Sequence, residues 1–273
     1  MADKYTLPVT FRAAGTSLSG QSISDSILIV AGKNWEKYSI SEDFERITLQ
    51  PGIIGARVNE ILKPHGRKFA PDPASVKSAM VGGIVMNNAS GMNCGTHANS
   101  DKELLSAKIV LADGTRLNTS DPESRTTFER KHTPFLNKII EIRDEIRNDN
   151  ELSDRIRKKY SIKNVTGLNL LPFVIYDDPF DIIAHLMVGS EGTLAFLSEV
   201  TMKTEHDYPY SASAMLYFSN IKDACRAVVA MKPGPVFSAE LLDKKSLASV
   251  NDTTGTGLTA VLTETKADTP EEL

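Results

Sequence analysis

Two cysteines, Cys94 and Cys225, among 273 residues leave nothing for a disulfide framework or a four-cysteine metal site. No stretch approaches the roughly eighteen consecutive apolar residues of a membrane-spanning helix; the longest apolar clusters, such as Ile27-Leu28-Ile29-Val30, have strand length. A basic excess is missing too. With 31 Lys and Arg against 35 Asp and Glu the net charge is −4, so no nucleic-acid partner is expected, because such a partner calls for a basic face. The first residues, MADKYTLPVT, lack a basic-then-apolar signal, which makes a cytoplasmic location the expectation. The five histidines, His65, His97, His132, His185 and His206, form no close-spaced pair, and no metal site is expected. What is present is globular: 41% hydrophobic residues are more than a disordered chain carries, and they suffice for a substantial core.

Both ends read as cut. Pro8-Val9-Thr10-Phe11 is strand-like with no earlier element to pair with, and Thr269-Pro270-Glu271-Glu272 announces a helix that has no room to form. The expectation is an internal piece of a longer protein. Ile27–Val30 and Arg46–Gln50 read as strands, and Ile54–Lys63 as a helix striped by Ile54, Val58, Ile61 and Leu62. Asp113-Gly114 between Ala107–Ala112 and Thr115–Leu117 is a hairpin signal. Residues 123–160 read as mixed-charge helix with Ile139, Ile142 and Ile146 on one face, its charges a solvated surface. From about residue 210 the order is strand Ala212–Phe218, helix Ile221–Met231, strand Val236–Leu242, helix Lys244–Val250 and strand Leu258–Thr263. That βαβ-like order suggests a separate small α+β domain after Tyr208-Pro209-Tyr210.

Three segments could carry chemistry. Arg12-Ala13-Ala14-Gly15-Thr16-Ser17-Leu18-Ser19-Gly20-Gln21 comes straight after a strand, and its small residues let backbone N–H groups converge on a phosphate. It has no lysine for a P-loop, and Ser17 replaces the middle glycine of a Rossmann fingerprint; the next residues, Ser22 to Val30, read as strand where that fingerprint needs a helix. A simple turn is the plainer alternative. In the second segment, Pro71-Asp72-Pro73 leads to Met80-Val81-Gly82-Gly83, where paired glycines at a helix start expose donors or else allow tight packing; Ala89-Ser90-Gly91 ends that helix. In the third, Gly189-Ser190-Glu191-Gly192 joins an apolar helix to an apolar strand, and Val188 excludes a nucleophile elbow.

Taken in order, these segments resemble the FAD-binding domain of the vanillyl-alcohol oxidase / p-cresol methylhydroxylase flavoproteins. The branch is that of the FAD-linked oxidases of the D-lactate dehydrogenase and glycolate-oxidase-subunit kind. Arg12–Gly20 corresponds to an Arg-Gly-x-Gly-Thr-Ser-x-x-Gly loop, and Pro71–Gly91 to a Pro-Asp-Pro…Gly-Gly-x-x-x-x-Asn-x-x-Gly stretch. Leu111–Gly114 corresponds to a Leu-Ala-Asp-Gly hairpin and Gly189–Leu194 to a Gly-Ser-Glu-Gly-Thr-Leu strand. The resemblance covers residues 8–204 well. It implies an α+β fold: a two-subdomain FAD-binding domain over 1–208 lacking its first strand–helix portion, then the start of a ferredoxin-like substrate or cap domain over 209–273.

The resemblance also implies sites. Ala13, Ala14, Gly15, Thr16, Ser17, Gly20 and Gln21 would wrap the FAD pyrophosphate. Asp72, Ala79, Gly82, Gly83, Asn87, Ala89, Ser90 and Gly91 would line the isoalloxazine and ribityl region, and Glu191, Gly192, Thr193, Leu194 and Leu197 the other side. Thr16 stands where members with covalent flavin often have histidine, so the FAD should be noncovalent. Ala13 replaces a usual glycine, Met80 a common threonine, and Gly167-Leu168 a usual Gly-Tyr. The histidine pair that the branch's substrate domain supplies is missing; His97, nearest the flavin stretch, reads more simply as a surface-loop residue, and no catalytic base is nominated. The implied function is an FAD-binding oxidoreductase which, in full-length form, dehydrogenates a D-2-hydroxy acid such as D-lactate by hydride transfer to FAD. The alternative is a truncated FAD-binding module without turnover; farther off stands another enzyme of the fold, such as an ether-lipid synthase or a cell-wall precursor reductase. Expected partners are a small hydroxy acid and an electron acceptor, the latter admitting a peripheral-membrane or iron–sulfur protein.

Overall fold

The computed structural model describes residues 2–92, 94–250 and 258–273. Two compact units divide the chain, 1–205 and 206–273.

In the first unit a five-stranded antiparallel sheet runs Tyr38–Ile40, Arg46–Leu49, Phe196–Lys203, Leu104–Val110, Arg116–Asn118 from edge to edge. Alternation in Arg46–Leu49 sends Ile47 and Leu49 into the core, opposite Met202 and Val200. The intervening Thr48 and Thr201 meet hydroxyl to hydroxyl at 2.9 Å. The expected hairpin turns at Asp113-Gly114, where Gly114 has φ +83°. Helices Gly55–Leu62, Val81–Asn87 and Pro179–Leu186 complete one core through Val58, Leu62, Ile84, Val85 and Ile182.

Val9–Arg12 and Ile27–Val30 pair in parallel, Val9 opposite Ile27, so residues 13–26 are a crossover between them. This corrects the expectation of strand from Ser22 onward. Ile23 N–H closes a turn on the Gly20 carbonyl, and Ser24 Oγ accepts from Ser26 N–H, so the ladder begins only at Ile27.

The mixed-charge stretch is two helices, Pro122–Asn148 and Asn150–Lys159, meeting at Asp149, whose side chain caps the second. The first is kinked at His132, two residues before Pro134, which has no N–H to continue the ladder. Arg147 serves structure: it donates to the carbonyls of Phe173 and Tyr176 and to Asp177 Oδ1.

In the second unit Thr259–Ala267 lies between Tyr210–Phe218 and Ser238–Leu242, antiparallel to both. The outer strands are therefore parallel to each other with a strand inserted between them, a split βαβ unit rather than an adjacent pair. Asn220 caps helix Ile221–Met231 and Asp243 caps Lys244–Ser249. Thr269 Oγ1 accepts from Glu272 N–H, the local bond that a capping threonine makes.

Candidate functional site

A cleft of about 470 Å³ opens in the first unit, a volume typical of cofactor sites. One wall is the loop after Val9–Arg12. Gly15 sits at φ +69°, and Arg12 folds back over its own loop, its Nε 3.1 Å from where a Gly15 Cβ would stand. A second wall is the face of Val81–Asn87. Gly82 and Gly83 divide the work there. The Gly82 N–H is spent on the Pro51 carbonyl and the Val81 N–H on that of Ile53, so this short helix start does not offer them to a ligand. Gly83 faces the loop, where a Cβ would stand 3.4 Å from Ala13 Cβ. The helix ends at Asn88, in the left-handed region at φ 54°, one residue before the expected Ala89-Ser90-Gly91.

The third wall is Glu191 to Leu197. Glu191 takes φ +55° between Gly189 and Gly192, both also at positive φ, and its N–H is held by the Met86 carbonyl at 2.9 Å. Its carboxylate binds the other two walls: Gln21 Nε2 donates to Oε2 at 2.8 Å, and Asn87 Nδ2 donates to Oε1 at 2.5 Å.

Ala13, Ala14, Gly15, Thr16, Ser17, Gln21, Ala79, Gly82, Gly83, Asn87, Ala89, Ser90, Glu191, Gly192 and Leu197 are all brought together in the lining. Gly20, Asp72, Gly91, Thr193 and Leu194 are not. Asp72 and Gly91 press on each other beside it, a Cβ on Gly91 having no room against the Asp72 carbonyl. Thr193 turns back to the Ser190 carbonyl through both N–H and Oγ1. Residues outside the expected cofactor-binding set also line it, among them Phe11, Arg12, Ala31, Met86, Val165 and Phe196. Arg12 heads the first motif, whose position already pointed to it; Val165 comes from a segment with no signal of its own.

Among the described lining residues the ionisable side chains are Arg12 and Glu191, and none is a histidine or cysteine. Of the histidines, His185 is buried against the Tyr176 hydroxyl at 2.9 Å, and that burial pushes its pKa down. His132 meets Thr115 Oγ1, His206 pairs with Asp268, and His65 stacks on Phe44. Lys163 donates to the Gly91 carbonyl at 2.5 Å, close to but outside the lining, and Glu199 pairs with Lys108. No group of three or more His, Cys, Asp or Glu among the described residues could hold a metal ion. No helix among them is long and apolar enough to cross a membrane.

Three buried polar atoms without a protein partner, Arg12 Nε, Gln21 Oε1 and Ser90 Oγ, belong to residues of this one cleft. Asn99, Ser100, Glu103, Ser238 and Glu264 carry such atoms elsewhere, but these three share one cleft, and buried polar atoms rarely stay unpaired, which marks it as a place for a polar ligand. A ligand with phosphates, hydroxyls and a flat apolar ring suits a lining of one guanidinium, an amide oxygen, a hydroxyl, glycine, alanine and Phe196. The family comparison names it: residues 1–120 match the model described as FAD binding domain. Residues 1–120 carry an FAD-binding domain. The flavin-binding chain is also similar to D-2-hydroxyglutarate dehydrogenase of Haemophilus influenzae, 25% identical over 262 residues, covering 90% of this chain and 24% of that enzyme. D-lactate dehydrogenase [cytochrome] 1, mitochondrial, of Saccharomyces cerevisiae is 26% identical over 252 residues, 90% of this chain and 34% of that one. The chain thus spans about a quarter to a third of the length of these relatives. Its fold matches the solved structure of an alkyldihydroxyacetonephosphate synthase with TM-score 0.62 and 14% identity, over 97% of this chain and 44% of that one. That likeness shows the fold alone, an α+β architecture.

Proposed function

We propose that this chain holds noncovalent FAD for the oxidation of a D-2-hydroxy acid, such as D-lactate or D-2-hydroxyglutarate, to the 2-oxo acid. The observation that carries the flavin part is the cleft itself, with three unpartnered buried polar atoms among glycines and alanines. The substrate class rests on the curated relatives, whose names specify D-2-hydroxyglutarate and D-lactate. When bound, FAD supplies hydride acceptance from the substrate α-carbon, and an electron acceptor, for which a peripheral-membrane or iron–sulfur protein is a candidate, takes the electrons onward.

The chain's own residues bind and position. Ala13, Ala14, Gly15, Thr16, Ser17 and Gln21 supply backbone donors and Arg12 a charge for the pyrophosphate. Gly83, Asn87, Ala89 and Ser90 line one side of the flavin region, and Glu191, Gly192 and Leu197 the other. Asp72, Gly91, Gly20, Thr193 and Leu194 act by holding these segments in place. The second unit belongs to a substrate domain. The test is a visible spectrum of the purified protein after incubation with FAD and removal of excess. Retained flavin absorption that acid precipitation releases into solution supports the reading; a colourless protein sinks it, and colour that stays in the pellet sinks the noncovalent part.

A further inference from the structure

We propose that Glu191 fixes the direction of the Gln21 amide, and that Gln21 Oε1 accepts a hydrogen bond from a hydroxyl of the bound dinucleotide. The inference rests on the flavin reading and deepens it.

A carboxylate in this cleft calls for a reason. By charge alone it opposes a diphosphate, and Arg12 is the one cation among the described lining residues. Glu191 nevertheless sits there, in a backbone conformation that glutamate rarely takes, pinned through its N–H to Met86. What the carboxylate does is directional. Ionised, it can only accept, so any amide facing it must present its NH₂. Both Gln21 and Asn87 do so, the first to Oε2 and the second to Oε1.

For Gln21 this settles every atom of the amide. Nε2 has two hydrogens; one goes to Glu191 and one to Ser17 Oγ at 2.7 Å. The oxygen must then point the other way, and it is buried without a partner. A buried acceptor left bare costs about as much as a hydrogen bond gains, so the ligand has to bring a donor. Phosphates at neutral pH bring none; the flavin N3–H and the adenine amino group lie at the far ends of the dinucleotide, whereas sugar-type hydroxyls flank the pyrophosphate that this loop would hold. FAD has such hydroxyls on its ribityl chain and on its ribose, and the fixed acceptor selects one of the two groups.

The test is a set of equilibrium titrations with FAD, FMN and ADP, following flavin fluorescence or bound nucleotide. The proteins are the unaltered chain, Gln21→Met, Glu191→Gln and the double variant, each checked for its melting transition. Gln21→Met, which keeps the volume and removes the acceptor, is expected to weaken FAD about tenfold, the worth of one hydrogen bond. It should also weaken one half-ligand only: FMN if the donor is on the ribityl chain, ADP if it is on the ribose. Glu191→Gln should weaken FAD although it removes a negative charge, because its own amide no longer forces its neighbours' direction. In the Gln21→Met background the same change should lose that penalty. FAD affinity unchanged in Gln21→Met overturns the proposal, as does tighter FAD binding by Glu191→Gln alone, which would reduce Glu191 to a repelling charge. If Glu191→Gln does not fold, the Gln21→Met titrations decide. No FAD binding by the unaltered chain overturns the flavin reading itself, and this proposal with it.

Discussion

Gly82 gives its backbone N–H to the Pro51 carbonyl at 2.9 Å, and a Cβ on Gly82 would stand 2.6 Å from Pro51 Cβ. The glycine is there for close packing of a helix start against a neighbouring turn. Gly83, one residue on, has room: its Cβ would make ordinary contact with Ala13 on the cleft side. The two alanine substitutions should therefore separate. Gly82→Ala is expected to lose about 1–3 kcal/mol of stability by overpacking. Gly83→Ala should keep or gain stability, by up to about 1 kcal/mol from helix propensity, while its methyl narrows the cleft and weakens FAD. Urea melts and flavin titrations of both variants check this; equal loss of stability would show that the glycines do the same work.

Gly15 carries a different constraint. Its φ of +69° is open to glycine and strained for a β-branched residue, and a Cβ there meets Arg12 Nε at 3.1 Å and Cδ at 3.2 Å. Gly15→Val should move the loop and displace the Arg12 side chain, abolishing measurable FAD binding while the far-UV spectrum stays native. A variant that binds FAD as the unaltered chain does would reduce this loop to a turn.

Period-two and period-3.6 patterns made the elements legible. Helix Ile221–Met231 needs only its cap, Asn220, and its apolar stripe, and both are local. The parallel pairing of Val9–Arg12 with Ile27–Val30 was not legible, because a crossover through turns leaves no periodic signal. The kink at His132 was in view as Pro134, but a charge pattern that runs through it reads as one helix. At the cleft, glycine motifs marked the walls because close approach demands particular residue types. They could not say that Gly82 packs while Gly83 faces the cleft, since adjacent glycines are equivalent on paper. Nor could they show Val165, which arrives from a segment that carries no motif.

Glu103 is the buried carboxylate that should shape the pH dependence of stability. Burial, with the nearby negative charge of Glu205 adding to it, raises its pKa to about 7; Lys203 opposes this and Asp101 adds a little. Above its usual carboxylate value the unfolded chain releases this proton while the folded chain keeps it. The folded state therefore holds the extra proton, and stability falls as pH rises from about 4.5 to about 7. The full effect is on the order of 3 kcal/mol, from about 1.4 kcal/mol per pKa unit. Glu103→Gln should flatten this part of the profile and melt higher than the unaltered chain at pH 7.5. Parallel melting curves between pH 4.5 and 7.5 would show it; superimposable profiles would refute a buried proton at Glu103.

Turnover is the last matter, and the expectation is negative. Oxidising a hydroxy acid needs a group to take the hydroxyl proton, held within hydrogen-bond reach beside the flavin. Of the described lining residues only Arg12 and Glu191 ionise; a guanidinium stays protonated, and Glu191 is occupied by Gln21 and Asn87. His97 is exposed, Lys163 is tied to the Gly91 carbonyl, and Glu199 is paired with Lys108. A misplacement of about one ångström already costs on the order of a hundredfold, and having no base costs more. Residues 1–273 loaded with FAD should thus reduce a dye acceptor with D-lactate or D-2-hydroxyglutarate no faster than free FAD does. A chain extended to the length of its relatives should turn over at least one D-2-hydroxy acid. Sustained turnover by residues 1–273 would place the base among these side chains. Lys163→Met is then the first variant to make, because Lys163 is bonded to the residue next to Ser90 at the edge of the cleft.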